Sequence, residues 1–357
     1  MIKILGSWID RYLGNEEAVL LSVLLIATLA VVLTIGGVLA PVFASIVIAF
    51  LMQGIVDRLT QYKAPHWLAV AIATIILISS LVASLLFLVP VIWQQSVRLM
   101  AEVPAILEQG QHQLMLLPQQ YPQLFSETQI LEVIQMAARE VGELGQSLLS
   151  FSVASLPVVA TILIYFVLVP ILVFFFLKDS DKILSWLGAL LPKERPMMRQ
   201  IWREMNLQLA NYVRGKVIEI IIVVVVSYIS FYFLELKFAL LMALLVGLSV
   251  VIPYIGAALV TIPVMMVAFW QWGFSDQFWW LFAVYSIIQG LDGNVLVPLL
   301  FSEAVNLHPV AIIMAVLVFG GLWGFWGVFF AIPLATLVKA IASAWPDSIQ
   351  AIETVKE

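Results

Sequence analysis

One acidic residue, Asp292, lies inside a long apolar stretch and is the side chain in this sequence best suited to contact a polar solute or a cation. Its segment reads Gln289-Gly-Leu-Asp-Gly-Asn-Val-Leu-Val-Pro298. Gly293 loosens the helix there, and the neighbouring Gln289 and Asn294 add polar groups. An ionisable side chain at membrane depth is costly and is a functional candidate for that reason. The alternative is a structural carboxylate held by hydrogen bonds.

Two further ionisable residues have two interpretations each. Glu219 closely follows Arg214 and Lys216, so a structural ion pair near the cytoplasmic interface is the leading interpretation. His308 precedes Pro309 and is predicted to begin a helix, because proline favours the first helical turn. The alternatives are a place in the solute or ion pathway for Glu219 and a proton-linked role for His308.

Several kinds of chemistry have no support in the sequence. The chain contains no cysteine, which excludes thiol nucleophiles and disulfides. His, Asp and Glu never occur at metal-ligand spacing, and neither a Gly-x-Ser-x-Gly elbow nor a glycine-rich phosphate loop with lysine is present. We therefore expect a protein that is not an enzyme and that needs no cofactor or metal.

The composition shows where these residues must be positioned. Of the 357 residues, 63% are hydrophobic and only 11% are charged, and the mean hydropathy is +1.08. A water-soluble fold cannot hide that much apolar surface, so the surplus must face lipid. The net charge of −5 and the lack of a polybasic run argue against nucleic acid as a partner.

The apolar blocks predict an all-α, polytopic integral membrane protein with about eight membrane segments. The blocks are Ala18–Leu39, Pro41–Val56, His66–Ile92, Phe151–Leu177, Val217–Leu234, Phe238–Trp272, Phe278–Phe301 and Asn306–Trp345. With both termini cytoplasmic and the first two blocks forming a hairpin, 14 of the 17 basic residues lie inside. The positive-inside rule favours this orientation.

The predicted topology divides the chain into six regions. They are N-terminal membrane segments (1–92), an extracytoplasmic helical hairpin (93–150), a membrane helix (151–177), a cytoplasmic amphipathic segment (178–216), a C-terminal membrane core (217–345) and a cytoplasmic tail (346–357). The external hairpin either closes on itself through a heptad seam or contacts neighbouring subunits. In the cytoplasmic segment, Arg195, Arg199 and Arg203 recur every four residues, which predicts an interfacial helix whose basic face meets anionic lipid headgroups.

Two long uncharged segments are interrupted by glycine and proline. Residues 238–275 are cut at Pro253-Tyr254-Ile255-Gly256, and residues 304–338 are cut by a glycine-rich stretch. That stretch contains Gly320, Gly321 and Gly324. Paired broken helices of this kind are typical of transport sites. A faint internal likeness also raises the possibility of an inverted repeat.

Together these residues resemble the AI-2E transporter family, also described as PerM-type permeases. The motifs that carry the resemblance are Val169-Pro170, Phe174-Phe-Phe-Leu-Lys-Asp179, Tyr212-Val-Arg-Gly215, Ile252-Pro-Tyr-Ile-Gly256, Gly293-Asn-Val-Leu-Val-Pro298, Leu307-His-Pro309, Gly320-Gly-Leu-Trp-Gly324, Gly327 and Ala331-Ile-Pro333. The resemblance implies an inner-membrane exporter or permease that assembles as a homo-oligomer, specifically a pentamer. The substrate for which the family is named is the quorum-sensing signal autoinducer-2, and some members of the family resemble sodium/proton antiporters.

Three functions follow as hypotheses. The first is a secondary transporter that exports a small polar solute such as autoinducer-2 by rearranging its broken helices. The second is a sodium (or lithium)/proton antiporter that uses Asp292. The third is an oligomeric membrane scaffold that recruits a partner through residues 93–150.

Overall fold

A computed structural model describes residues 16–115, 155–301 and 307–344, together with isolated positions between 128 and 139. All regular elements in these ranges are helices, and seven of them are long and apolar enough to cross a membrane. The helices are α1 (Glu16–Gln61), α2 (His66–Ala83), α3 (Val89–Leu114), α4 (Ser155–Lys178), α5 (Ser180–Ala189), α6 (Pro196–Phe233), α7 (Ala239–Ser249), α8 (Ile255–Trp272), α9 (Asp276–Leu291), α10 (Val297–Phe301), α11 (Pro309–Phe329) and α12 (Ala331–Ala344). The prediction of an all-α polytopic membrane protein is confirmed.

The first helix bends sharply, but not where the sequence predicts. Its only non-helical backbone angles are at Ile35 (φ −126°, ψ 15°), and the chain continues as helix through Pro41. Gly36 permits the Trp323 ring to pack against the bend, because a Cβ at that position would lie 2.7 Å from Nε1 of Trp323. The two predicted blocks therefore form one helix of 46 residues with a bend before Ala40 rather than after it.

Both arms of α1 approach the same half of α6. In the first arm, a carboxylate oxygen of Glu17 accepts a hydrogen bond from the backbone N–H of Met198 at 2.7 Å. In the second arm, the carbonyl of Phe50 accepts one from Nε of Arg214 at 3.4 Å. The two contact points on α6 are about 24 Å apart at 1.5 Å per residue, whereas Glu17 and Phe50 would be about 50 Å apart in a straight helix, so α1 must be bent.

The second membrane helix continues well beyond the predicted block. A π-helical turn (Ser84–Leu88) joins α2 to α3 without a break, so the two form one continuous helix that ends at Leu114, well beyond the predicted end at Ile92. Gln95 of α3 accepts a hydrogen bond from the N–H of Leu241 at 2.9 Å, which attaches this continuous helix to the start of α7. The second limb of the predicted external hairpin lies almost wholly outside the described residues.

No break in the helix marks the predicted boundary between the cytoplasmic segment and the membrane core at residue 216. Helix α6 runs from Pro196 to Phe233 as one element of 38 residues. The amphipathic stretch is its first half, so it is not a separate helix lying in the membrane plane. Two of the three arginines bind the chain that precedes α6: Arg195 donates to the carbonyls of Gly188 and Pro192, and Arg199 to that of Lys193.

The two broken segments are confirmed. The first is α7, a turn and α8, and the residue before α8, Tyr254, has left-handed backbone angles (φ 62°). In the second, α11 reverses at Gly324 (φ 58°, ψ −135°) and the chain continues into α12. Such angles suit glycine, because it has no Cβ to clash with the backbone.

One glycine in each segment, Gly256 in the first and Gly327 in the second, allows the two arms to approach closely. A Cβ on Gly256 would lie 1.8 Å from the carbonyl oxygen of Ser249, and one on Gly327 would lie 1.8 Å from that of Phe319. Real Cβ atoms cannot approach an oxygen so closely. The backbone reversal in both segments therefore requires glycine at these positions.

The broken segments pack against each other inside the bundle. Ile252 and Ile255, at the turn of the first segment, pack against an apolar cluster of the second that includes Ala315, Val316 and Ala331. The two interruptions are therefore part of one structural centre, and α6 passes beside it.

Candidate functional site

A buried ion pair lies on α6 beside this centre. Nζ of Lys216 is 2.7 Å from a carboxylate oxygen of Glu219, and the two side chains are only 4% and 2% exposed. Residues three apart share a helix face, so the sequence places the pair without help from other elements. The structural pair predicted for Glu219 is thus observed, and it is buried within the bundle.

Lys216 also contacts the broken helix directly. Its ammonium group donates a hydrogen bond of 3.0 Å to the carbonyl oxygen of Val250, which directly follows the end of α7. Carbonyls at a helix end have no partner within the helix and must find one elsewhere. The same Nζ lies 5.2 Å from the centre of the Phe301 ring on α10. Lys216 therefore joins α6, the break after α7, and α10.

Sequence reasoning missed this role of Lys216. Its contact with Val250 joins residues 34 positions apart, and no local pattern reveals such a contact. The only available signal was a lysine and a glutamate three residues apart at the start of an apolar run.

Asp292 adds a second carboxylate to the cluster. It begins a π-helical turn, Asp292–Leu296, and lies close enough to interact electrostatically with Lys216 and Glu219. Its Oδ1 atom and the amide Nε2 of Gln289 are buried, and neither has a hydrogen-bond partner among the described residues. Buried polar atoms normally have partners, so these two groups are suited to bind a polar ligand or to change partners during a movement.

Several predicted site residues lie around this cluster without joining it. Asn294 is exposed, and its amide donates to the carbonyl of Gly290 at 2.8 Å. Gly293 is also exposed, with open space where a Cβ would be. Pro253 and Tyr254 form the break itself, and the Tyr254 side chain is 58% exposed.

Other predicted residues shape the second broken segment. His308 precedes α11 and caps it, since its Nδ1 accepts a hydrogen bond from the N–H of Val310 at 3.3 Å, and Pro309 occupies the first turn. Gly320 packs tightly against Val328, whereas Gly321 has open space around it. The predicted start of the helix at His308 is thus observed.

A tyrosine that the sequence did not single out for the site connects α6 to this second segment. Oη of Tyr212 donates a hydrogen bond of 2.7 Å to the carbonyl of Phe329. Tyr212 is buried and lies one helical turn before Lys216, on the same face of α6. One face of α6 therefore makes a polar contact with each of the two broken segments.

Metal ligands are not grouped at this site. Within the ranges that the structure describes, no three His, Asp or Glu side chains are arranged to hold a metal ion. The cluster instead combines one cation with two carboxylates and a helix-end carbonyl that accepts a hydrogen bond from that cation.

Comparison with known proteins agrees with this architecture. The sequence model of the protein family described as "AI-2E family transporter" matches residues 21–347 of this chain. The chain is 44% identical over 347 residues to the "Putative permease PerM" of Escherichia coli (strain K12), covering 97% of this chain and 98% of that protein. It is also 26% identical over 329 residues to the "Putative transport protein YueF" of Bacillus subtilis (strain 168), covering 89% and 84% of the two chains. The chain therefore belongs to the AI-2E family of transporters.

Proposed function

We propose that this protein is a secondary exporter of a small polar solute of the autoinducer-2 class. The observation that carries the proposal is the buried pair of Lys216 and Glu219 beside the break after α7, with the half-buried Asp292 next to it. Ionisable groups at membrane depth, next to non-helical backbone, mark the transport site in many secondary transporters.

The two broken segments are the elements that move in this proposal. Because Lys216 binds the carbonyl of Val250 and Tyr212 binds that of Phe329, α6 makes one polar contact with each segment in addition to apolar packing. A solute hydroxyl group can replace either bond at little net cost, since it can accept from the side-chain donor and donate to the backbone carbonyl. Since the sequence has no phosphate loop, we expect a solute or ion gradient to supply the energy.

Cation/proton antiport is the second candidate function. It is favoured by the buried Oδ1 of Asp292, which has no hydrogen-bond partner among the described residues, and by a second carboxylate, Glu219, nearby. A carboxylate pair with a lysine could exchange a proton for a cation without a polar organic solute.

We further propose an inner-membrane location with both termini in the cytoplasm, in a homo-oligomer. The support is the concentration of basic residues on one side of the predicted topology and the large exposed apolar surface of the described helices. Lipid and neighbouring subunits are the two environments that suit such a surface.

Flux into proteoliposomes, with Asp292→Asn beside the wild type, separates the two functions. An exporter accumulates autoinducer-2 with no dependence on sodium, and we expect Asp292→Asn to slow it at least about tenfold, the effect of losing about 1.4 kcal/mol. An antiporter instead exchanges sodium for protons across the membrane and does not transport autoinducer-2. Asp276→Asn is the matched control, because Asp276 is an exposed carboxylate in the first turn of the same helix. Wild-type vesicles that move neither solute nor cation would overturn both functions.

A further inference from the structure

A cavity lies away from the charged cluster of Lys216, Glu219 and Asp292 and is open to the outside of the molecule. Its volume is about 750 Å³, and it lies between the first arm of α1, helix α5, the first half of α6, and α12. Its walls are apolar, formed by residues such as Leu21, Leu184, Leu187 and Leu337. Because these walls come from four helices, anything that fills the cavity binds them together.

Three arginines also line the cavity. They are Arg195, Arg199 and Arg203, and no carboxylate is among the described residues that form the lining. Carbonyl oxygens of the α5–α6 connection hold two of the three guanidinium groups in place, those of Arg195 and Arg199. A neutral carbonyl orients a guanidinium group without cancelling its charge, so the cavity combines an apolar interior with fixed positive charge.

Trp202 indicates the level of this charge relative to the bilayer. It lines the same cavity and its indole ring is 58% exposed. Tryptophan is enriched at the headgroup level of membranes, where an apolar ring with one polar group is most stable. Arg203, one residue after it, and Arg199, three residues before it, therefore lie at the level of lipid phosphates rather than in the bulk cytoplasm.

We propose that this cavity binds one anionic phospholipid, with an acyl chain between the leucines and the phosphate against Arg199 and Arg203. The apolar walls would be unsuited to a free phosphate or to another water-soluble anion. A zwitterionic lipid would leave the positive charge less well compensated. Basic pockets between membrane helices on the cytoplasmic side bind anionic headgroups in this manner. The lipid stabilises the contact of the α1 arm with α5, α6 and α12.

The test measures lipid retention by native mass spectrometry on the full-length protein in detergent, titrated with dioleoyl phosphatidylglycerol or dioleoyl phosphatidylcholine. We expect the wild type to bind one phosphatidylglycerol in preference to phosphatidylcholine, and to gain thermal stability from it. In Arg199→Gln/Arg203→Gln, binding should weaken about 30-fold, because each arginine at the headgroup level contributes about five- to sixfold to the affinity. Arg199→Lys/Arg203→Lys should keep most of the affinity, which separates lost charge from lost folding.

The control is Arg58→Gln/Lys63→Gln, which removes the same charge from exposed positions outside the cavity and should retain the lipid. Two results would overturn the proposal. One is a glutamine variant that retains phosphatidylglycerol as well as the wild type does. The other is equal stabilisation by inorganic phosphate, which would show that the apolar part of the cavity contributes nothing.

Discussion

Gly256→Ala is expected to prevent the first broken segment from folding and to lower the stability of the protein by about 3 kcal/mol or more. The added Cβ would lie 1.8 Å from the carbonyl oxygen of Ser249, which is backbone and cannot rotate away. Relief requires α7 and α8 to separate, and this would pull Val250 away from Lys216. Thermal unfolding in detergent, followed by size-exclusion chromatography, measures the loss.

Gly327→Ala should behave in the same way, because its Cβ would lie 1.8 Å from the carbonyl of Phe319. Gly293→Ala and Gly321→Ala are the controls, since neither added methyl group meets an atom within 4 Å. Alanine is the better helix former by about 0.5–1 kcal/mol, so these two variants should be as stable as the wild type or slightly more so. Equal stability of all four variants would mean that the close backbone approaches do not exist.

The second large effect concerns the buried ion pair. Lys216→Met leaves the Glu219 carboxylate buried without its cation, and breaking a buried pair in this way costs about 3–5 kcal/mol. The substitution also removes the hydrogen bond to the carbonyl of Val250. We expect a large fall in the unfolding temperature, and a comparable one for Glu219→Gln, which leaves the lysine unpaired.

The double variant Lys216→Met/Glu219→Leu separates stability from function. Replacing a buried ion pair with apolar side chains is often neutral or stabilising, so the double variant should recover most of the lost stability. Transport should be lost, because the site no longer carries the Lys216–Glu219 ion pair beside Asp292. Arg214→Met is the control on the same helix: its pair with Asp57 is partly exposed, at 4.0 Å, and such pairs contribute no more than about 1 kcal/mol. A double variant that is as stable and as active as the wild type would remove the ion pair from the mechanism.

Local features of the sequence were sufficient to predict most of the architecture. Continuous apolar runs predicted membrane helices, and glycine and proline at residues 253–256 and 320–327 predicted both interruptions. His308 before Pro309 predicted the start of α11. Each of these signals acts within a few residues of the structure it determines.

The errors involve contacts between distant parts of the chain. Pro41 was expected to mark the first break, but the bend lies at Ile35, where the Trp323 ring packs against Gly36. The charge pattern predicted a separate amphipathic helix before residue 216, whereas α6 runs from Pro196 to Phe233 without a break. The meeting of Lys216 with Val250 likewise depends on how two separate elements pack.

The central claim is that the charged cluster lines a solute pathway, and cysteine accessibility tests it most directly because the chain has no cysteine of its own. Gln289→Cys places a thiol one turn from Asp292 on the same helix face. Ile287→Cys is the control: it places a thiol nearby on the apolar outer face of the helix, where the Ile287 side chain is 60% exposed. Only a hydrated thiol reacts readily with a charged methanethiosulfonate reagent, since reaction needs the thiolate. In intact membranes, we predict that the Gln289→Cys variant is modified, that the transported solute slows its modification, and that the Ile287→Cys variant reacts far more slowly. Equal reactivity of the two variants, with no protection by solute, would contradict the account.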